Sequence, residues 1–205
     1  MKLNATPSLI ALDNIYPNPD EVREYALSAE YFPEKTSGSF RFGNAPWPGK
    51  MTKKPYINNS IDKIVSSIIG KPVRQLLGND SGKFRISKAS DTTNNVVHSD
   101  SFQQDDDVSG WAGVVYLCPK NANGKVGTSL FTHVESGATS ATKEQDSFIS
   151  DWNDASKWYP NLVSHIVWNR LILYPANKFH GIGPLFGETD EDARLVQLFT
   201  WSTVK

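Results

Sequence analysis

Hydrophobic positions follow two spacings along this chain, and the change falls near Gly82. Before it the spacing is helical. Ile61, Ile64, Val65, Ile68 and Ile69 recur at i, i+3, i+4, i+7 and i+8, which places one apolar stripe on a helix over residues 60–69. Gly70 and Pro72 end it. An earlier helix starts at Asn18-Pro19-Asp20-Glu21. Asn18 caps it, Pro19 suits the first helical position, and Glu21 stands where a capping-box carboxylate reaches back. Val22, Tyr25, Ala26 and Ala29 share its apolar face. The intervening YFPEKTSGSFRFGNAPWPGKMTKKP is rich in Pro, Gly and aromatic residues and reads as an ordered loop.

After Gly82 the runs become short, β-branched or aromatic, and separated by turn residues: KFRISKAS, NNVVHSD, WAGVVYLC, TSLFTH, SHIVWN, RLILYP and ARLVQLFTW. One further helix is expected within DSFISDWNDASKW. Helices first and strands later predict an α+β fold, with the helices packed on one sheet of a β-sandwich or jelly roll. No internal repeat is present. A single domain over residues 1–205 follows, helical in 1–82 and strand-rich in 83–205.

Composition narrows the partners. The chain has 205 residues, 21 basic against 22 acidic, and a net charge of −1, which gives no pull toward nucleic acid or an anionic membrane. Six Trp, seven Tyr and ten Phe supply a packed core. The single cysteine, Cys118, lies in an apolar run and reads as a buried, inert thiol, so nothing points to an oxidising compartment. The N-terminal apolar stretch is too short and broken for a signal peptide, and no run reaches the length of a membrane span. A soluble cytoplasmic protein is the expectation.

The candidate chemistry starts at VVHSD. His98 and Asp100 are two apart, so on an extended chain both side chains leave the same face. They are two of the three ligands of a facial metal triad, and folding must supply a second histidine. Of His133, His165 and His180, the last has the best setting: it follows RLILYP and a short loop, ahead of the final strand that Arg194 begins. The plain readings are a surface His–Asp pair, a turn histidine, and an arginine paired with Glu188, Asp190 or Glu191. The run Asp105, Asp106 and Asp107 suggests a second metal site less strongly than it suggests a solvated loop.

The order His-x-Asp, WAGVVYL, GTSLF, RLILYP…FHGIGP, then Arg and a terminal Trp resembles the iron(II)/2-oxoglutarate-dependent dioxygenases over roughly residues 84–203. The ending His180, Pro184, Gly187, Arg194, Trp201 looks like the prolyl-hydroxylase-like branch. The N-terminal Asp-Asn…Asn-Pro-Asp phrase resembles a less characterised group of the same kind. The resemblance implies a double-stranded β-helix (jelly roll) of about eight strands. It implies iron(II) on His98, Asp100 and His180, 2-oxoglutarate as cosubstrate with its far carboxylate on Arg194, and hydroxylation of a small molecule or peptide. A guanidinium suits that task because it holds a carboxylate by two parallel hydrogen bonds. The chain departs from the branch in two places. His180 and Arg194 are fourteen apart, with GETDEDA as an apparent insertion. The strand before His-x-Asp has no tyrosine for the cosubstrate, leaving Ser87, Lys88 and Ser90 as alternatives. Prolyl hydroxylation is therefore not implied. The rival readings are a cupin-like metal-dependent isomerase or hydrolase and a non-catalytic binding module.

Overall fold

The computed structural model describes residues 7–32, 47–77, 80–91, 97–100, 110–142 and 150–203. These build two antiparallel sheets and two helices. The large sheet has the order β1-β8-β5-β10-β4-β2, with β3 also paired to β10. Its strands are β1 (Ile10–Leu12), β2 (Lys50–Met51), β3 (Val73–Gln75), β4 (Phe84–Ser87), β5 (Gly110–Tyr116), β8 (Arg170–Pro175) and β10 (Arg194–Thr203). The small sheet is β7-β6-β9, from β6 (Val126–His133), β7 (Trp158–His165) and β9 (His180–Ile182).

Period-two alternation divides the large sheet into two apolar faces. Phe84, Ile86, Val115, Leu171, Leu195, Phe199 and Trp201 lie in one cluster with Val22 and Ala26 of α1 (Pro19–Ser28) and Ile61 and Val65 of α2 (Asn59–Ile69). The next residues along the same strands, among them Val114, Tyr116, Ile172, Tyr174 and Val196, join Leu130 of β6 in a second cluster between the sheets. The protein is thus layered as helices, large sheet, small sheet, and the helices cover one sheet as the sequence predicts.

The helix boundaries agree with the sequence, with local differences. Asn58 caps α2 by accepting from the Ser60 amide at 3.0 Å, and Gly70 ends it in the left-handed region at φ 73°. Ile61 and Val65 are fully buried and Ile64 is partly buried, but Ile68 is exposed. Ile69 in the last turn still packs on the core, so Ile68 marks the edge of the buried face. On α1, Asn18 does not accept from the backbone; its amide donates to Glu21 at 3.3 Å instead. Tyr25 stays largely exposed, leaning against Tyr56.

Other expectations need correction. The region read as helical, 1–82, also contributes β1, β2 and β3 to the large sheet. The strand expected over SHIVWN is the end of β7 followed by a turn, with Asn169 at φ 60°. Asn169 ties that turn to Tyr16, since Tyr16 N donates to its Oδ1 and its Nδ2 donates to Tyr16 O. In the segment expected to be helical near Trp152, the described residues form a 3-10 turn over Ala155–Lys157, and Trp158 already begins β7. The run Asp105, Asp106 and Asp107 lies outside the described residues. Cys118 is buried, its thiol facing the Leu195 carbonyl, and burial pushes its pKa up. No helix among the described residues is long and apolar enough to cross a membrane.

Candidate metal centre

The site forms where the segment carrying His98 meets β9. His98 and His180 pair as an antiparallel bridge: His98 N donates to His180 O at 2.9 Å and His180 N to His98 O at 2.8 Å. Asp100 N donates to Ala176 O at 2.9 Å, which extends the pinning to the end of β8. Val97 and Phe179, one residue before each histidine, leave the opposite face and pack with Trp152 and Trp158 in a separate apolar cluster. That anchoring turns His98 and His180 toward the cavity.

His98 Nε2 lies 3.5 Å from Asp100 Oδ1, and His180 Nε2 lies 3.5 Å from Asp100 Oδ2. The candidate ligand atoms of the three residues all lie within 4.8 Å of one another. His180 Nδ1 is 3.0 Å from Lys178 O. A carbonyl only accepts, so Nδ1 carries the proton and the Nε2 lone pair faces Asp100. Burial, with His98 adding to it, pushes the His180 pKa down to about 4 against the opposing pull of Asp100. Burial also disfavours the Asp100 carboxylate, but the two imidazoles outweigh it and hold its pKa below the usual carboxylate range. The result is a neutral imidazole next to an ionised carboxylate. Two nitrogens and one carboxylate are a donor set suited to a divalent first-row metal with open positions.

These residues line a cavity of about 310 Å³ that also contains Arg194. Arg194 begins β10 opposite Ser87 of β4 and is 2% exposed. Its Nη2 donates to Gly127 O at 3.4 Å, while its buried Nε has no hydrogen-bond partner among the described residues. The acidic loop before it does not claim it. Asp190 pairs with Lys50 and with Lys88, and Asp192 closes the loop by accepting from Glu188 N at 2.8 Å and Thr189 N at 2.7 Å. Among the described residues no carboxylate meets this buried guanidinium, which is costly, so the cavity suits an anion.

The remaining candidates separate. His133 is buried between Asp151 at 3.1 Å and Ser136 at 3.0 Å, and it closes a turn. His165 is exposed at the end of β7. Of the alternatives to the missing tyrosine, Ser87 donates to Pro48 O at 3.0 Å, Lys88 pairs with Asp190 at 3.0 Å, and Ser90 is exposed. The cavity holds further residues besides the triad and Arg194. Tyr174 of β8 lies 4.8 Å, ring to ring, from His180, and Trp47 lies 4.3 Å from His98. Thr128 of β6 accepts from Tyr116 Oη at 3.0 Å beside the Gly127 carbonyl that receives Arg194. The alternation in RLILYP was a usable signal for Tyr174. For Trp47 the signal was the Pro- and aromatic-rich stretch SFRFGNAPWPGKM leading into β2, a candidate pocket wall in the sequence.

The chain belongs to a family of unknown function, DUF6445, whose model matches residues 2–183. No curated protein matches it in sequence. Solved structures match in fold. One is SnoN, a non-haem α-ketoglutarate-dependent epimerase from nogalamycin biosynthesis, at 12% identity and TM-score 0.53, over 96% of this chain and 78% of SnoN. Another is HygX from Streptomyces hygroscopicus with nickel and 2-oxoglutarate bound, at 9% identity and TM-score 0.51, over 96% and 83%. AviO1 from Streptomyces viridochromogenes is similar at 9% identity and TM-score 0.51, over 95% and 89%. At these identities the likeness is one of fold.

Proposed function

We propose that this member of DUF6445 is an iron(II)- and 2-oxoglutarate-dependent oxygenase, a hydroxylase of a small molecule or peptide, built on the double-stranded β-helix (jelly roll) of that class. One observation carries the reading: two imidazoles and a carboxylate converge in a cavity that also buries an arginine with no acidic partner among the described residues. A cupin-like isomerase or hydrolase has no general need of that arginine, whereas a five-carbon diacid bound to the metal at one end requires a cation at the other. The fold likeness to SnoN and HygX supports the same reading.

Iron(II) with 2-oxoglutarate and dioxygen supplies the oxidation of a substrate C–H bond, with 2-oxoglutarate converted to succinate and carbon dioxide. His98, Asp100 and His180 hold the metal, and Lys178 O keeps the His180 proton on Nδ1. Arg194, which lines the same cavity as Thr128, would pair with the far carboxylate of 2-oxoglutarate. Trp47 and Tyr174 pack on the two histidines and limit water at the site.

Anaerobic titration with iron(II) and then 2-oxoglutarate tests this. A weak visible charge-transfer band that needs both components, followed by succinate on admitting air, is the expected result. Metal binding without a 2-oxoglutarate effect supports the cupin-like reading, and binding of neither supports the non-catalytic module. Product analysis then distinguishes hydroxylation from an epimerisation like that of SnoN.

A further inference from the structure

A second arginine faces the same cavity. Arg85 of β4 stands opposite Val196 of β10, while Arg194 stands opposite Ser87, so the two arginines are diagonal neighbours on one face of the large sheet. Diagonal neighbours in a sheet are roughly 7–8 Å apart. Arg85 is 7% exposed, and its Nη1 donates to Pro48 O at 3.2 Å. It forms no ion pair with a carboxylate among the described residues. Asp80, the acid that acts on it, is paired with Lys83 at 3.5 Å. Burial of two like charges side by side is unfavourable unless anions meet both.

Charge separates the two anions. Among its described lining residues the cavity has three cations, Lys83, Arg85 and Arg194, against two carboxylates, Asp80 and Asp100. A divalent metal adds two positive charges, and 2-oxoglutarate, a dianion, removes two. One positive charge is left over. Arg194 reaches toward Gly127 and the small sheet. Arg85 instead lies against Pro48, next to Trp47, whose ring packs on His98. The surplus charge therefore sits beside Pro48, on the wall that carries Trp47 and adjoins His98.

We propose that Arg85 receives a carboxylate of the substrate, which makes the substrate an organic monoanion. The inference rests on the oxygenase reading for the charges of metal and cosubstrate. It assigns to Arg85 a binding role distinct from that of Arg194: selecting acids over their neutral analogues.

The test is binding, read by ligand-observed NMR on protein saturated with zinc(II) and 2-oxoglutarate, using benzoate and benzamide as probes. The wild type binds benzoate about tenfold more tightly than benzamide, the scale of one charge-assisted hydrogen-bonded contact. Arg85→Gln removes the difference, and Arg85→Lys retains part of it. The 2-oxoglutarate affinity falls far less in Arg85→Gln than in Arg194→Ala. Equal binding of the two probes to wild type overturns the proposal, whether or not the variants fold. So does an acid preference that survives in Arg85→Gln, or a loss of 2-oxoglutarate affinity in Arg85→Gln as large as in Arg194→Ala, which would assign Arg85 to the cosubstrate. If zinc-loaded wild type does not bind 2-oxoglutarate at all, the oxygenase reading fails. Benzoate against benzamide on the zinc-loaded wild type and Arg85→Gln then still decides the role of Arg85.

Discussion

His98 and His180 stand directly opposite one another, each backbone amide donating to the other's carbonyl, with ring centroids 4.2 Å apart. Paired residues in an antiparallel bridge send their side chains to the same side, so the pairing itself brings two imidazoles together from positions 82 residues apart. Asp100 follows by alternation. The candidate site is therefore positioned by backbone hydrogen bonds between the two segments.

On the proposed reading, metal affinity depends on Asp100. In Asp100→Ala the imidazoles remain but the bridging carboxylate between them is gone. Affinity for iron(II) or cobalt(II), measured by anaerobic titration, is expected to fall by at least about 100-fold, more than the usual cost of losing an outer partner of a metal ligand. Wild-type affinity in Asp100→Ala would remove Asp100 from the ligand set.

For Arg194 the expected effect falls on the cosubstrate and not on the metal. Arg194→Ala weakens 2-oxoglutarate binding by about 10- to 100-fold, the value of charge-assisted hydrogen bonds, while iron binding changes little. Arg194→Lys keeps the charge and loses the two-bond fork, so it falls between. Calorimetric titration of 2-oxoglutarate into the metal-loaded variants reads both, and an unchanged affinity in Arg194→Ala would separate the metal site from 2-oxoglutarate.

Stability of the metal-free protein should fall in mild acid. The folded-state pKa of His180 is about 4, below the ordinary value of 6.5, so between these limits the unfolded chain binds the extra proton. Stability is thus unaffected above about pH 6.5 and is lost progressively as pH falls toward 4, by up to about 3 kcal/mol. Thermal melting across this window measures it. Bound metal should protect, because it competes with the proton for the same lone pair. A melting temperature that is flat from pH 6.5 to 4.5 would contradict the buried neutral imidazole.

The helical stripe gives a stability prediction that distinguishes its own positions. Ile61→Ala should cost about 2–5 kcal/mol, because Ile61 is fully buried against the sheet. Ile68→Ala should cost less than about 0.5 kcal/mol, since Ile68 is exposed. Denaturant unfolding of both variants tests the seating of α2, and equal costs would mean the helix is rotated on the sheet.

The sequence by itself determined what repeats along the chain. The stripe of α2, its Gly70 stop, and the strands in RLILYP and ARLVQLFTW are local patterns, and β8 and β10 appear where those patterns run. His98 and Asp100 were legible for the same reason, since a spacing of two fixes a shared face on any extended chain. Strands β1, β2 and β3 were not legible, because they are two or three residues long and exist only through pairing with β8, β4 and β10. The seat of Arg194 also belonged to tertiary structure. Its acidic neighbours in sequence offered partners, but Lys50 and Lys88 take Asp190, and β10 turns the guanidinium inward. Trp47, Arg85 and Tyr174 meet around the two histidines only once the large sheet is assembled. Local patterns are set by neighbours a few residues away, whereas a cavity is made from strands that are distant in sequence, so its walls and its charge are decided by the order in which the sheet is laid down.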